Sequence, residues 1–89
     1  MRVRASHILV PTLDEAIALK QQIDEGADFG DVARQNSKCP SASNDGDLGE
    51  FGPGQMVAPF EIATFNLPVN GLSLPVRTQF GYHLIKRTA

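Results

Sequence analysis

Apolar and polar residues alternate through Val3–Val10, VRASHILV, and the run stops at Pro11. A period of two is the signature of a strand. It sets Val3, Ala5, His7 and Leu9 on one face and Arg4, Ser6, Ile8 and Val10 on the other. The second half is apolar on both faces, which predicts a central strand covered on both sides. The period then changes. Ala16, Leu19 and Ile23 recur at helical spacing, with Leu13 and Ile17 or Ala18 beside them. Thr12 and Glu15 have the spacing of a capping box, and Gly26 is placed to terminate the helix. Asp28 caps a second, shorter helix to Asn36, with Phe29, Val32 and Ala33 inward.

Ser37–Asp47 reads as a polar connection. Within it Cys39 precedes Pro40, which biases Cys39 toward extended backbone. Leu48–Phe51 predicts a short strand. Val57–Leu67 predicts a third main helix, with Pro59 in its first turn and Phe60, Ile62 and Phe65 as its bulky apolar residues. Leu74–Thr78 and Tyr82–Arg87 predict a closing hairpin around Gln79-Phe80-Gly81. In the last strand His83 and Ile85 face one way, Tyr82 and Leu84 the other. Strand, helices, short strand, helix and hairpin make an α+β fold with a mixed or antiparallel sheet of four strands.

One stretch fits neither period. Gly46–Phe60, GDLGEFGPGQMVAPF, sets four glycines among Leu48, Phe51, Met56 and Phe60. It reads either as a short core strand and a turn, or as a rim presenting Leu48, Met56 and Phe60 to an apolar ligand. Neither a dinucleotide loop nor a P-loop is present, because no third glycine and no Gly-Lys-Ser/Thr follow.

At 89 residues the chain is expected to be one domain, 1–89. A formal charge of −2 gives no pull toward nucleic acid or an anionic membrane, and neither is expected as a partner. A single cysteine excludes an internal disulfide framework and fits a reducing compartment. With no h-region at the N-terminus, and with Met1 and a finish just after the last strand, we expect a free-standing cytoplasmic protein.

The candidate chemistry rests on few residues. His7 and His83 both lie mid-strand, where an imidazole needs partners for both nitrogens. They read as a structural pair or as a proton-donating pair beneath a pocket. Cys39 reads as a small hydrophobe, as the nucleophile of a Cys/His site, or as a ligand of a Cys/His/His zinc site. Paired ligand spacing is lacking for zinc, and no metal or other cofactor is expected. A thiol hydrolase lacks an acid to orient its histidine.

SHILV at 6–10, GADF at 26–29, CPSA at 39–42, GDLGEFGPGQMVAPF at 46–60 and PVRTQFGYHLIK at 75–86 occur in one order. Over essentially its whole length the chain resembles the parvulin family of peptidyl-prolyl cis/trans isomerases. That resemblance implies a β-α-α-α-β-α-β-β fold: a four-stranded, mostly antiparallel sheet wrapped by about four helices. It implies a catalytic centre of His7, Cys39, Thr78 and His83, and a proline pocket of Leu48, Met56 and Phe60 with Phe80 added to its wall. The implied partners are proline-containing peptides and unfolded protein clients, bound by a monomer.

Relatives that act on phosphoserine- or phosphothreonine-proline carry a long basic loop after the first strand. Here no Lys or Arg lies between Val10 and Lys20, so phosphate dependence is not expected. Some relatives have Asp in place of Cys39, which argues against an obligatory thiol nucleophile. The runner-up from another class is a non-catalytic, chaperone-like module that holds proline-containing segments in the same groove.

Overall fold

A computed structural model describes all residues, Met1–Ala89. The elements are β1 (Val3–Val10), α1 (Leu13–Asp24), α2 (Phe29–Asn36), a 3-10 turn (Pro40–Asn44), β2 (Asp47–Phe51), α3 (Ala58–Phe65), β3 (Val76–Thr78) and β4 (Gly81–Arg87). The strands form one antiparallel sheet in the order β2-β1-β4-β3. The α+β reading and its four strands stand. The helix count resolves into three α-helices and the 3-10 turn.

Local chemistry explains the helix ends. The Thr12 hydroxyl accepts the Glu15 N–H at 3.2 Å, and the Asp28 carboxylate accepts the Asp31 N–H at 3.0 Å. α1 ends in a Schellman motif, with the Ala27 N–H donating to the Gln22 carbonyl and the Gly26 N–H to the Ile23 carbonyl.

The strand alternation divides the core in two. On one face Ile8, Val10 and Leu84 pack under Ala16, Leu19, Phe29, Val32 and Ala33 of α1 and α2. On the other, Val3, Ala5 and Ile85 pack with Phe51 and Phe60, the latter from α3. β1 and β4 are therefore buried on both sides, as the doubly apolar half of Val3–Val10 predicts.

Several expectations shift. Leu13 and Ile17 lie exposed on α1, whose inward stripe is Ala16 and Leu19 with Ile23 at its margin. Ile62 likewise faces out of α3. The last hairpin starts at Val76, not Leu74, because Pro75 has no N–H for the ladder. The Ser37–Asp47 connection contains the 3-10 turn, too short for a periodic signal. β1 and β2 also slip register between Arg4 and Ser6, for which we have no sequence signal.

Candidate functional site

Two elements bring the histidines together. β1 and β4 pair with His7 opposite Ile85 and Leu9 opposite His83, so the two rings lie diagonally on one face. They stack with centroids 5.2 Å apart, and His7 Nδ1 lies 3.0 Å from His83 Nδ1. His83 Nε2 lies 2.7 Å from the Thr78 hydroxyl across the β3–β4 hairpin. That hydroxyl also accepts the Phe80 N–H at 3.2 Å, which ties the hairpin turn to the network. Phe60 stands edge-on to both imidazoles, at 5.4 Å and 5.2 Å.

The proton count in this chain is constrained. Only one hydrogen fits between two Nδ1 atoms. If Thr78 donates to His83, then His83 donates to His7, and His7 Nε2 carries a hydrogen. If His83 donates to Thr78, every step reverses and His7 Nε2 is a bare acceptor. His7 Nε2 itself is buried without a protein partner. The tautomer of the pair thus decides whether that atom offers or accepts a hydrogen bond. Burial, and secondarily the charge of His83, push His7 down to about 4. Burial also lowers His83. Both shifts favour the neutral form of the rings.

Above the pair lies a cleft of about 480 Å³. Its lining includes His7, His83, Cys39, Leu48, Met56, Phe60 and Phe80, and also Leu9, Lys38, Pro40, Gln55 and Val57. Thr78 stands beneath, reaching the cleft only through His83. Thus the structure brings all eight sequence-predicted residues to one place. It does not make Cys39 part of the hydrogen-bonded chain: no bond joins its thiol to either imidazole. Nor does a carboxylate orient either ring, as a hydrolase histidine requires. No three His, Cys, Asp or Glu side chains are grouped to hold a metal ion.

The rim is held by backbone and by three side chains. Ser37 Oγ accepts the Leu9 N–H at 3.0 Å, and the Lys38 N–H donates to the Leu9 carbonyl at 2.8 Å. Residues 37–39 are thereby laced along the end of β1, with Cys39 extended as the following proline demands. Opposite, Gln55 Oε1 accepts the Gly52 N–H and Glu61 Oε1 the Gly54 N–H, each at 2.6 Å. These bonds fix the turn that presents Met56 and Val57.

Sequence reasoning missed five lining residues. Leu9 was legible, since it shares the alternating face of His7. Gln55 and Val57 fall inside the Gly46–Phe60 stretch, and Lys38 and Pro40 flank Cys39, but nothing in one sequence says which neighbours turn inward.

An antiparallel sheet that floors an apolar cleft with paired imidazoles defines the parvulin class of rotamase. Residues 7–89 match the family model described as Rotamase, PPIC-type PPIASE domain, and the chain belongs to that family. It is 51% identical over 88 residues to the foldase protein PrsA of Geobacillus kaustophilus, covering 98% of this chain and 31% of that protein. It is 41% identical over 113 residues to the peptidyl-prolyl cis-trans isomerase Pin1 of Digitalis lanata, covering 98% of this chain and 96% of that one. The crystal structure of the peptidylprolyl isomerase PrsA from Bacillus anthracis superposes with a TM-score of 0.98 at 42% identity, over 99% of this chain and 41% of that one. The chain spans about a third of the length of the foldase relatives it matches.

Proposed function

We propose that this domain accelerates rotation about X–Pro bonds in peptides and folding proteins, without covalent attachment and without dependence on phosphate. The observation that carries the reading is the apolar cleft of Leu48, Met56, Phe60 and Phe80 set directly over the His7–His83–Thr78 chain. Rotation is slow because amide resonance imposes a barrier of roughly 18–20 kcal/mol. The twisted amide has less charge separation than the planar one. A cleft that excludes water favours the twisted form over the planar form, and such differential binding is sufficient for catalysis. In this reading the apolar residues hold the proline ring and strip its water. The imidazole chain holds the floor of the cleft in place. Cys39 contributes wall and local polarity, not a bond.

The proposal includes a monomer acting on proline-containing peptides and unfolded clients in the cytoplasm, where a reducing milieu keeps the cleft thiol of Cys39 free. The test is cis/trans exchange NMR on short X–Pro peptides, with X apolar, basic, acidic or phosphoserine. Acceleration without a requirement for phosphoserine is the expected result. No acceleration for any X, with saturable shifts at Met56 and Phe60, would establish the chaperone-like binding module instead.

A further inference from the structure

We propose that Ser37 is a positioning residue of the cleft: its hydroxyl clips the wall formed by residues 38–40 to the end of β1. The inference rests on the isomerase reading and deepens it. Ser37 itself lies outside the cleft lining and acts through the residues bonded to it.

β2 follows β1 only as far as the Ser6–Asp47 pair. Beyond that pair the outer edge of β1 has no strand beside it, and its backbone groups need other partners. Backbone and one side chain supply them. The Gly46 carbonyl accepts the His7 N–H at 2.9 Å, the Ser37 hydroxyl accepts the Leu9 N–H at 3.0 Å, and the Lys38 N–H donates to the Leu9 carbonyl at 2.8 Å. Ser37 is the side chain among them, and so the link that a substitution can cut without touching the backbone.

The same hydroxyl accepts the Cys39 N–H at 3.4 Å, so both acceptor sites of the oxygen are used. The Ser37 N–H donates in turn to the Ala33 carbonyl at 2.9 Å and closes α2. One residue thus ties α2, β1 and the cleft wall together. Leu9 and Cys39, both bonded to Ser37, line the cleft, as do Lys38 and Pro40 on either side of Cys39. Lys38 and Pro40 are exposed and Cys39 is half-buried, so packing does little to hold this wall. Without the hydroxyl, this end of the wall hangs on the single Lys38–Leu9 bond, about which Cys39 and Pro40 can swing outward. A wall that has retreated grips the bound segment less in the planar and twisted forms alike, which places the loss on KM and not on kcat.

The experiment compares Ser37→Ala, Ser37→Thr and Ser43→Ala. Ser43 lies in the adjoining 3-10 turn, where its hydroxyl donates to the Pro40 carbonyl at 3.2 Å and reaches nothing on β1. Exchange NMR over a range of Ala–Pro peptide concentrations should give Ser37→Ala a KM about three- to ten-fold above wild type, with kcat within about two-fold. Its Cys39 thiol should react with iodoacetamide about three-fold faster or more, through loss of the same bond. Ser37→Thr, which keeps the hydroxyl, and Ser43→Ala should match wild type in both assays. A wild-type KM in Ser37→Ala, an unchanged alkylation rate, or a Ser37→Thr protein as impaired as Ser37→Ala overturns the proposal and leaves the isomerase reading intact. If the wild-type protein accelerates no peptide, the isomerase reading fails, and Kd from shift titrations takes the place of KM in deciding the role of Ser37. Should Ser37→Ala not fold, hydrogen exchange of the wild-type protein decides: protected Leu9 and Cys39 amides support the clip, and a Cys39 amide exchanging at the rate of an open loop overturns it.

Discussion

His7 enters the folded state with its ring nearly sealed from water, and that has a measurable cost in acid. Its native pKa, about 4, lies below the ordinary value of 6.5. Between those values the unfolded chain binds the proton and the native state does not, so stability falls as pH drops from 6.5 toward 4. The loss approaches roughly 3 kcal/mol from His7, and His83, lowered by burial, acts in the same direction. Asp47, whose carboxyl is lowered by the Arg4 guanidinium, acts in the same direction only at lower pH. Urea midpoints measured from pH 7 to pH 4 should show the slope, and His7→Phe should flatten it; an unchanged slope would rule out His7 as its source. Cys39 gives a second residue-scale prediction. Because its thiol is bonded to neither imidazole, Cys39→Asp should keep isomerase activity within about ten-fold. Near-complete loss in a folded variant would restore the thiol to the chemistry. That both histidines face inward was legible from strand alternation. That they meet at Nδ1 was not, because their contact depends on the register of strands far apart in sequence.

Elements built from short-range chemistry were the most legible. Thr12, Asp28 and Gly26 announce helix ends because a cap needs only its own few neighbours. The 3-10 turn was hidden, because its position depends on what lies beneath it. Gly46 shows why. It has φ +82°, and its carbonyl accepts the His7 N–H at 2.9 Å. A Cβ there would lie 2.4 Å from the His7 carbonyl oxygen. Gly49 has a similar φ of +73° with nothing near its missing Cβ. Both alanine variants incur backbone strain of roughly 1–3 kcal/mol, and Gly46→Ala adds a clash against β1. Gly46→Ala should therefore lower the urea midpoint well below that of Gly49→Ala and shift the His7 ring resonances. Equal midpoints and unmoved imidazole signals would show that the turn is free to recede.

At the scale of the whole molecule, the sheet is the shared wall of two small cores. Ile8 and Leu84 belong to one, Ile85 to the other, and all three are fully buried. Neighbouring positions on the same two strands serve opposite faces, so neither core can open while the other keeps its wall. Unfolding should be one transition, with far-UV circular dichroism and the emission of Tyr82, the sole tyrosine, coincident in urea. Ile8→Val and Ile85→Val, one in each core, should each cost about 0.5–1.5 kcal/mol and leave the curves superimposed. Separate transitions would show two independent units. The two-core plan could be anticipated from the doubly apolar end of β1. The exposure of Leu13, Ile17 and Ile62 could not, since an apolar residue on a helix says nothing about how much partner surface is there to cover it.

The pairing of β1 with β4 also bears on how the domain comes into being on a ribosome. Within the domain, synthesis delivers His7 early and His83 only after most of the domain has emerged, at a pace of roughly 5–20 residues per second. A nascent domain still lacking its final strand has no second imidazole, no Thr78 link and no shared wall for its cores. The cleft is therefore completed last, so the growing chain cannot use this cleft on its own prolines until β4 has left the exit tunnel.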